Sequence, residues 1–216
     1  MNVLVGKHPE TGKIIPVKIP EAKITGIVQC YQSEKDLGQC LESLAGRVDR
    51  IICIDGYFTM KNTPHYHPPK TKNGASTDES GKIARKYGAE WLSGDREYSD
   101  QTDKLNRIPE LVPEGEWCFI LDTDEELVSY VKDGLRTMTG WFSQWTDTMP
   151  IRIDEPYYSH PFTGQYGRNR VYMRLFRVFK QMRFENESCY RYPGRLNLYM
   201  GTMSSTVFIR HHRKEH

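Results

Sequence analysis

Short β-branched runs alternate with amphipathic helical stretches through the first 135 residues, and this rhythm restricts the chain to few folds. "ITGIVQC" (24–30) reads as a strand. A helix follows it, capped by Ser33, with Asp36 in its first turn and Leu37, Cys40, Leu41 and Leu44 repeating at helical spacing up to Gly46. "RIICID" (50–55) is a second strand ended by Gly56, and "STDESGKIARKYG" (76–88) a second helix capped near Ser76. "AEWLS" (89–93) is a third strand, "DKLNRIPELV" a helical stretch interrupted at Pro109, and "EWCFIL" (116–121) a fourth strand. "EELVSYVKDGL" (125–135) then opens the next helix, with Glu125 and Glu126 placed to stabilise its first turn. Four repeats of strand then helix imply βαβ units around a parallel sheet, an α/β fold.

The rest of the chain is built differently. Residues 1–20 read as a β-hairpin, with "NVLV" and "KIIPVKI" flanking a turn-rich "GKHPETG". After residue 135, "TMPIRID", "RVYMRLFRVF" and "SSTVFIRHH" read as strands, the first two separated by the polar and aromatic loop "EPYYSHPFTGQYGRN". Residues 57–75 form a loop or insertion. A length of 216 residues suits one compact domain, divided here into a hairpin extension (1–22), a first half (23–135) and a second half (136–216).

Thirty basic residues face 28 acidic ones, which gives no electrostatic case for nucleic acid as the main partner. No apolar run approaches the roughly 20 residues of a membrane span, and the first residues lack a signal-peptide layout. Five cysteines without a C-x-x-C pair read as reduced, buried thiols, and the expected location is cytoplasmic.

The stretch "WCFILDTDEEL" (117–127) sets four acidic groups within five positions at the end of an apolar strand. Ligands of open parallel sheets bind beyond the carboxyl ends of the strands, and Asp122 and Asp124 stand there. Alternation along an extended backbone would put both on one side, with Thr123 opposite. Two carboxylates at ~4 Å repel by about 4 kcal/mol at an effective dielectric of ~20. A shared proton or a hard divalent cation, Mg²⁺ or Mn²⁺, offsets that repulsion, and the cation would bridge to substrate phosphates.

In their order these pieces resemble the family 2 glycosyltransferases of the GT-A fold. The matching stretches are "VQCYQSEKDL" after the first strand, "ICIDG" at the end of the second, "ASTDESGKIARKYGAE" beyond the insertion, "CFILDTDEEL", and "MRLFRVFKQMRFENES". They cover roughly residues 24–190. Gln29 and Gln32 depart from the family's proline and asparagine, and the insertion splits the second motif, so that Ser76, Thr77 and Asp78 read as helix-capping residues. The resemblance implies a GT-A-like sandwich with a mainly parallel sheet, whose first half binds nucleotide and whose second half binds acceptor. It implies nucleotide contacts from Gln29, Tyr31, Asp55 (near the base), Lys104, Asp122 and Thr123. Asp122 would lie near ribose and metal, Asp124 would be the direct ligand, and a late histidine, His211, a third.

The implied reaction moves a sugar from a nucleoside-diphosphate sugar, UDP by preference, to a hydroxyl of a saccharide, lipid carrier or protein, with inversion. Positive charge then develops on the sugar and negative charge on the departing diphosphate, and the attacking hydroxyl needs a carboxylate base within reach. Glu187 in "RFENES" is the first candidate, Asp154 the second. Arg170, Arg174, Arg177, Lys104 and Arg107 are candidate phosphate contacts. Arg174 and Arg177, an odd number apart, face opposite sides of a strand. Tyr157, Tyr158, Phe162 and Tyr166 are candidates to stack on an acceptor sugar, and His65 and His67 form a weak H-x-H. The alternatives are a nucleotidyltransferase, which lacks its Gly- and Arg-rich phosphate loop here, a haloacid-dehalogenase-type phosphohydrolase, whose D-x-D falls early in the chain, and a non-catalytic nucleotide-sugar-binding protein.

Overall fold

The computed structural model describes residues 3–7, 11–18, 22–59, 71–130, 133–142, 148–154, 170–186, 189–191 and 207–211. The N-terminal hairpin is present: β1 (Val3–Lys7) pairs antiparallel with β2 (Ile14–Lys18). The alternating region follows as β3 (Ile24–Cys30), α1 (Leu37–Leu44), β4 (Arg50–Asp55), α2 (Ser80–Lys86), β5 (Glu90–Leu92), α3 (Gln101–Leu105), α4 (Ile108–Leu111) and β6 (Trp117–Asp122). Then come β7 (Glu125–Ser129), α5 (Gly134–Phe142), β8 (Thr148–Asp154), β9 (Arg170–Arg177), β10 (Arg183–Asn186), β11 (Cys189–Arg191) and β12 (Val207–His211).

Eight strands form one sheet in the order β5-β4-β3-β6-β9-β8-β12-β7. Neighbours run parallel from β5 to β6 and between β8 and β12, and antiparallel elsewhere. With the hairpin, this is the mainly parallel GT-A-like sandwich that the resemblance implies. The alternation of side chains feeds two apolar layers. Val28, Cys53, Phe119 and Leu121 pack with α1 on one face. Ile27, Ile52, Ile54, Cys118 and Ile120 pack with Leu105 and Ile108 of α3 and α4 on the other.

Three local expectations are corrected. Residues 125–129 form a strand, not the first turns of a helix: Glu125 and Leu127 alternate inward as β7 pairs with β12, and the helix waits until Gly134. Strand β6 ends at Asp122, and Thr123 and Asp124 form a turn, so the extended alternation that would align the two aspartates stops there. Ser33 and Ser76 do not cap helices by their hydroxyls. The Ser33 hydroxyl bonds to Tyr31, and α2 opens with the Ser80 N–H donating to Asp78 Oδ1.

The tight link between β6 and β7 bends the whole sheet. Two residues separate them, a reach of about 11 Å between Asp122 and Glu125 at full extension, whereas four strand spacings of about 4.8 Å need about 19 Å. The far half of the sheet therefore curls back, so that β7 lies beside β6 and against α1. There the Leu127 N–H donates to Ser43 Oγ at 2.9 Å, and Arg47 donates to the Leu127 carbonyl at 2.6 Å.

Candidate functional site

Chain direction decides which residues meet. Strands β3, β4, β6, β8 and β12 all end at one edge of the sheet, where β7 and β9 begin. That edge collects Gln29, Asp55, Asp122, Asp154 and His211 at strand ends, and Glu125 and Arg170 at strand starts. His211 is directly opposite Glu125 in register, and Asp154 is level with Arg210. Glu187, the sequence's first choice of base, lies outside the described residues, as do the four loop aromatics, His65 and His67.

Two of these carboxylates share one guanidinium. Arg174 donates through a single nitrogen to Asp122 Oδ2 at 2.9 Å and to Glu125 Oε1 at 3.0 Å. Glu125 Oε2 accepts the Asp122 backbone N–H at 2.8 Å. Gln29 and Gln101 approach Asp122 Oδ1 through their amide nitrogens at 3.3 and 3.4 Å. Asp122 is thus held from both sides, and Asp124 stands half-buried two residues beyond it. Burial pushes the Glu125 carboxyl up to about 7; Arg174 pulls it down, and Asp122 and Asp124 push it further up. Arg177 lies over the Trp117 ring at 5.3 Å, on the other face from Arg174, as their spacing predicts.

A second cluster lies under the tips of β3 and β4. Asp55 is fully buried and accepts from Ser76 N, Ser76 Oγ and Ser93 Oγ at 2.8, 2.6 and 2.5 Å. The buried Lys104 amine donates to the Gly56 carbonyl at 2.6 Å and the Cys30 carbonyl at 3.1 Å, and lies over the rings of Phe58 and Tyr98. Burial lowers it to about 8. Arg107 is engaged with Tyr98 Oη at 2.8 Å and Asp95 at 2.7 Å. The Tyr31 ring centroid is 6.2 Å from that of Tyr57. Cys30, Cys40, Cys53 and Cys118 are free and buried, and burial pushes the thiols of Cys30, Cys40 and Cys118 up, which keeps them unreactive.

Sequence reading missed Glu125, Gln101 and Ser93, and the joint grip of Arg174 on two carboxylates. Glu125 left one signal, the alternation Glu125, Leu127, Ser129, but the acidic run favoured a helix start. Gln101 and Ser93 are single polar residues whose partners lie 21 and 38 positions away in the chain, and no local pattern marks them.

A hard cation fits the chemistry here in part. Two carboxylates share one guanidinium here, with Asp124 two residues beyond, and carboxylate oxygens are the donors that Mg²⁺ or Mn²⁺ takes. Asp122, however, is already held by Arg174. Among the described residues, no three His, Cys, Asp or Glu side chains form a metal-holding group. No helix among them is long and apolar enough to cross a membrane.

No protein family's sequence model matches the chain, and no curated protein matches it in sequence. Solved structures do resemble it. S. aureus TarS 1–349 aligns with a TM-score of 0.48 and 17% identity, over 72% of this chain and 47% of that one. TarS 1–349 in complex with UDP gives 0.45 and 19%, over 66% and 38%. Glucosyl-3-phosphoglycerate synthase from Mycobacterium tuberculosis, in complex with Mn²⁺, UDP and glucosyl-3-phosphoglycerate, gives 0.38 and 14%, over 64% and 45%. The chain spans less than half the length of each of these. Likeness of this degree assigns neither substrate nor metal.

Proposed function

We propose that this chain is a metal-dependent glycosyltransferase that moves a sugar from a nucleoside-diphosphate sugar, UDP by preference, to an acceptor hydroxyl with inversion. The observation that carries the reading is the gathering of Asp122, Asp124, Glu125, Asp154 and His211 at the carboxyl edge of the sheet, beside the tips of β3 and β4. A parallel sheet offers ligands that edge.

In this reading the nucleotide lies over the tips of β3, β4 and β6, with Gln29, Tyr31, Asp55, Lys104, Asp122 and Thr123 around it. Asp122 is fixed in place by Arg174 and the two glutamine amides and would lie near the ribose. Asp124 would be the direct ligand of Mn²⁺ or Mg²⁺, with Asp122 and His211 as the other members of the set. When bound, the cation supplies charge stabilisation for the departing diphosphate. Glu187 or Asp154 takes the proton of the acceptor hydroxyl, whether on a saccharide, a lipid carrier or a protein. A non-catalytic nucleotide-sugar-binding protein would share the binding and lack the turnover.

Calorimetric titration with UDP, with and without Mn²⁺, tests the reading. Wild-type binding is expected to tighten with Mn²⁺, and Asp124→Asn to weaken the Mn²⁺-supported binding by at least about tenfold, the lower end even for loss of an outer-shell partner of a metal ligand. Binding indifferent to both metal and Asp124→Asn would defeat it. Product formation from a UDP-sugar separates transferase from binding protein.

A further inference from the structure

We propose that Asp55 is a positioning residue, presetting through Ser76 the turn that follows β3, and that its carboxylate does not read the nucleobase. This rests on the nucleotide-sugar reading above and assigns one of its residues a different task from the one the sequence resemblance implies.

The carboxylate is already committed. A carboxylate offers about four lone-pair directions, and three of those on Asp55 are filled by Ser76 N, Ser76 Oγ and Ser93 Oγ. The side chain has no exposed surface through which a base edge could reach the remaining one. Because the Ser76 hydroxyl gives its proton to Asp55, its lone pairs face outward and accept the Gln32 N–H at 2.8 Å. Two further bonds continue the pattern: the Ser33 N–H donates to Ser80 Oγ at 2.9 Å and the Glu34 N–H to Asp78 Oδ2 at 3.0 Å. Three consecutive backbone donors after β3 are thus each held by a side chain from residues 76–80. Gln32 sits at φ +50°, a conformation that a non-glycine residue holds only when its surroundings fix it. The turn so fixed presents Tyr31 beside Tyr57.

The insertion does not break this arrangement. The Tyr57 N–H donates to the Gly74 carbonyl at 3.2 Å, so residues 57–75 leave and return at one point. Gly74, at φ +72°, lets the backbone meet the Tyr57 ring, where an added Cβ would lie 2.4 Å from it. Ser76 therefore arrives at Asp55 although 20 residues intervene in sequence. Recognition of the base then falls to the stacking surface at Tyr31, which accepts any base through its π-face.

Amide hydrogen exchange on the unliganded chain, combined with calorimetry using UDP, CDP, GDP and ADP in Mn²⁺, tests the proposal. Ser76→Ala is expected to speed exchange at residues 32–34 by about 3- to 10-fold, the equivalent of one net hydrogen bond. It should weaken all four nucleotides by one common factor, and Ser76→Thr, which keeps the hydroxyl, should restore both. Asp55→Asn should leave the affinity ratios among the nucleotides unchanged. If that variant does not fold, Ser93→Ala replaces it: a base-reading Asp55, relieved of one donor, would favour UDP selectively, whereas a positioning one would not. Unchanged exchange in Ser76→Ala, or a loss confined to one base, overturns the proposal. Should no nucleotide bind the wild type, the transferase reading falls, and exchange alone decides whether Ser76 presets the turn.

Discussion

Replacing Arg174 with methionine is expected to destabilise the metal-free protein by about 3–5 kcal/mol at pH 8, the cost of stranding a buried charge without its partner, and by clearly less at pH 5.5. Arg174 is buried and faces Asp122 and Glu125 at 2.9 and 3.0 Å. Without it, Glu125, at 3% exposure, keeps only the Asp122 N–H as a donor among the described residues. The pH dependence follows from proton counting. In the wild type, burial raises the Glu125 carboxyl from an ordinary 4.5 to about 7. Between those values the native state holds more protons than the unfolded one, so this group's contribution to stability falls as pH rises and is level above about 7. Losing Arg174 removes the larger of the two influences that lower the Glu125 pKa, so the fall becomes deeper and extends to higher pH. At pH 5.5 the carboxyl is mostly protonated in either protein, and up to about 1.4 kcal/mol of the difference, the equivalent of the one pH unit between 7 and 8, disappears. Urea unfolding at the two pH values measures it; the pH 8 loss corresponds to a thermal midpoint lower by roughly 10 °C for a chain of this size. A loss equal at both pH values, or below about 1 kcal/mol at pH 8, would refute the account.

The contrast between Arg174 and Asp122 shows how far sequence reading reaches. Strands β3, β4 and β6 were legible because each is buried on both faces and so reads as a continuous apolar run bounded by turn residues. The position of Asp122 at a strand tip follows directly from that. The parity of Arg174 and Arg177 was also legible, since side-chain alternation is a local property of any strand. What local pattern cannot supply is the partner. The pairing of β7 with β12 joins residues about 80 positions apart, and it turned a predicted helix start into a strand carrying a buried glutamate. Ser76 illustrates the same point from the other side. A serine before a helical stretch has a local use as a cap, and only the closed base of the insertion reveals that its hydroxyl serves Asp55.

Replacing Lys104 with methionine is expected to change stability little at pH 7, within about 1 kcal/mol, and to cost about 3 kcal/mol at pH 10. Methionine keeps the apolar stem but has no donor. The Gly56 carbonyl then loses its 2.6 Å partner, while the Cys30 carbonyl retains the Gly56 N–H at 3.1 Å. An unsatisfied buried carbonyl costs about 1–3 kcal/mol, and the attraction of the ammonium to the Phe58 and Tyr98 rings goes with it. Against these losses stands the removal of a buried charge. Burial lowers the Lys104 amine to about 8, from about 10.4 in an unfolded chain. Holding it protonated at pH 7 therefore costs the folded wild type about 3 kcal/mol, roughly what its contacts return. Between pH 8 and pH 10 the unfolded state binds a proton that the native state does not, so the contribution of Lys104 to stability rises with pH. The neutral amine still donates to both carbonyls, now without the cost of burying charge. Methionine has no such dependence, so the two proteins diverge as the solution becomes more alkaline. Urea unfolding at pH 7 and pH 10, wild type against variant, measures this. A penalty that stays constant or shrinks toward pH 10 would mean that Lys104 is not held as a buried amine between the tips of β3 and β4.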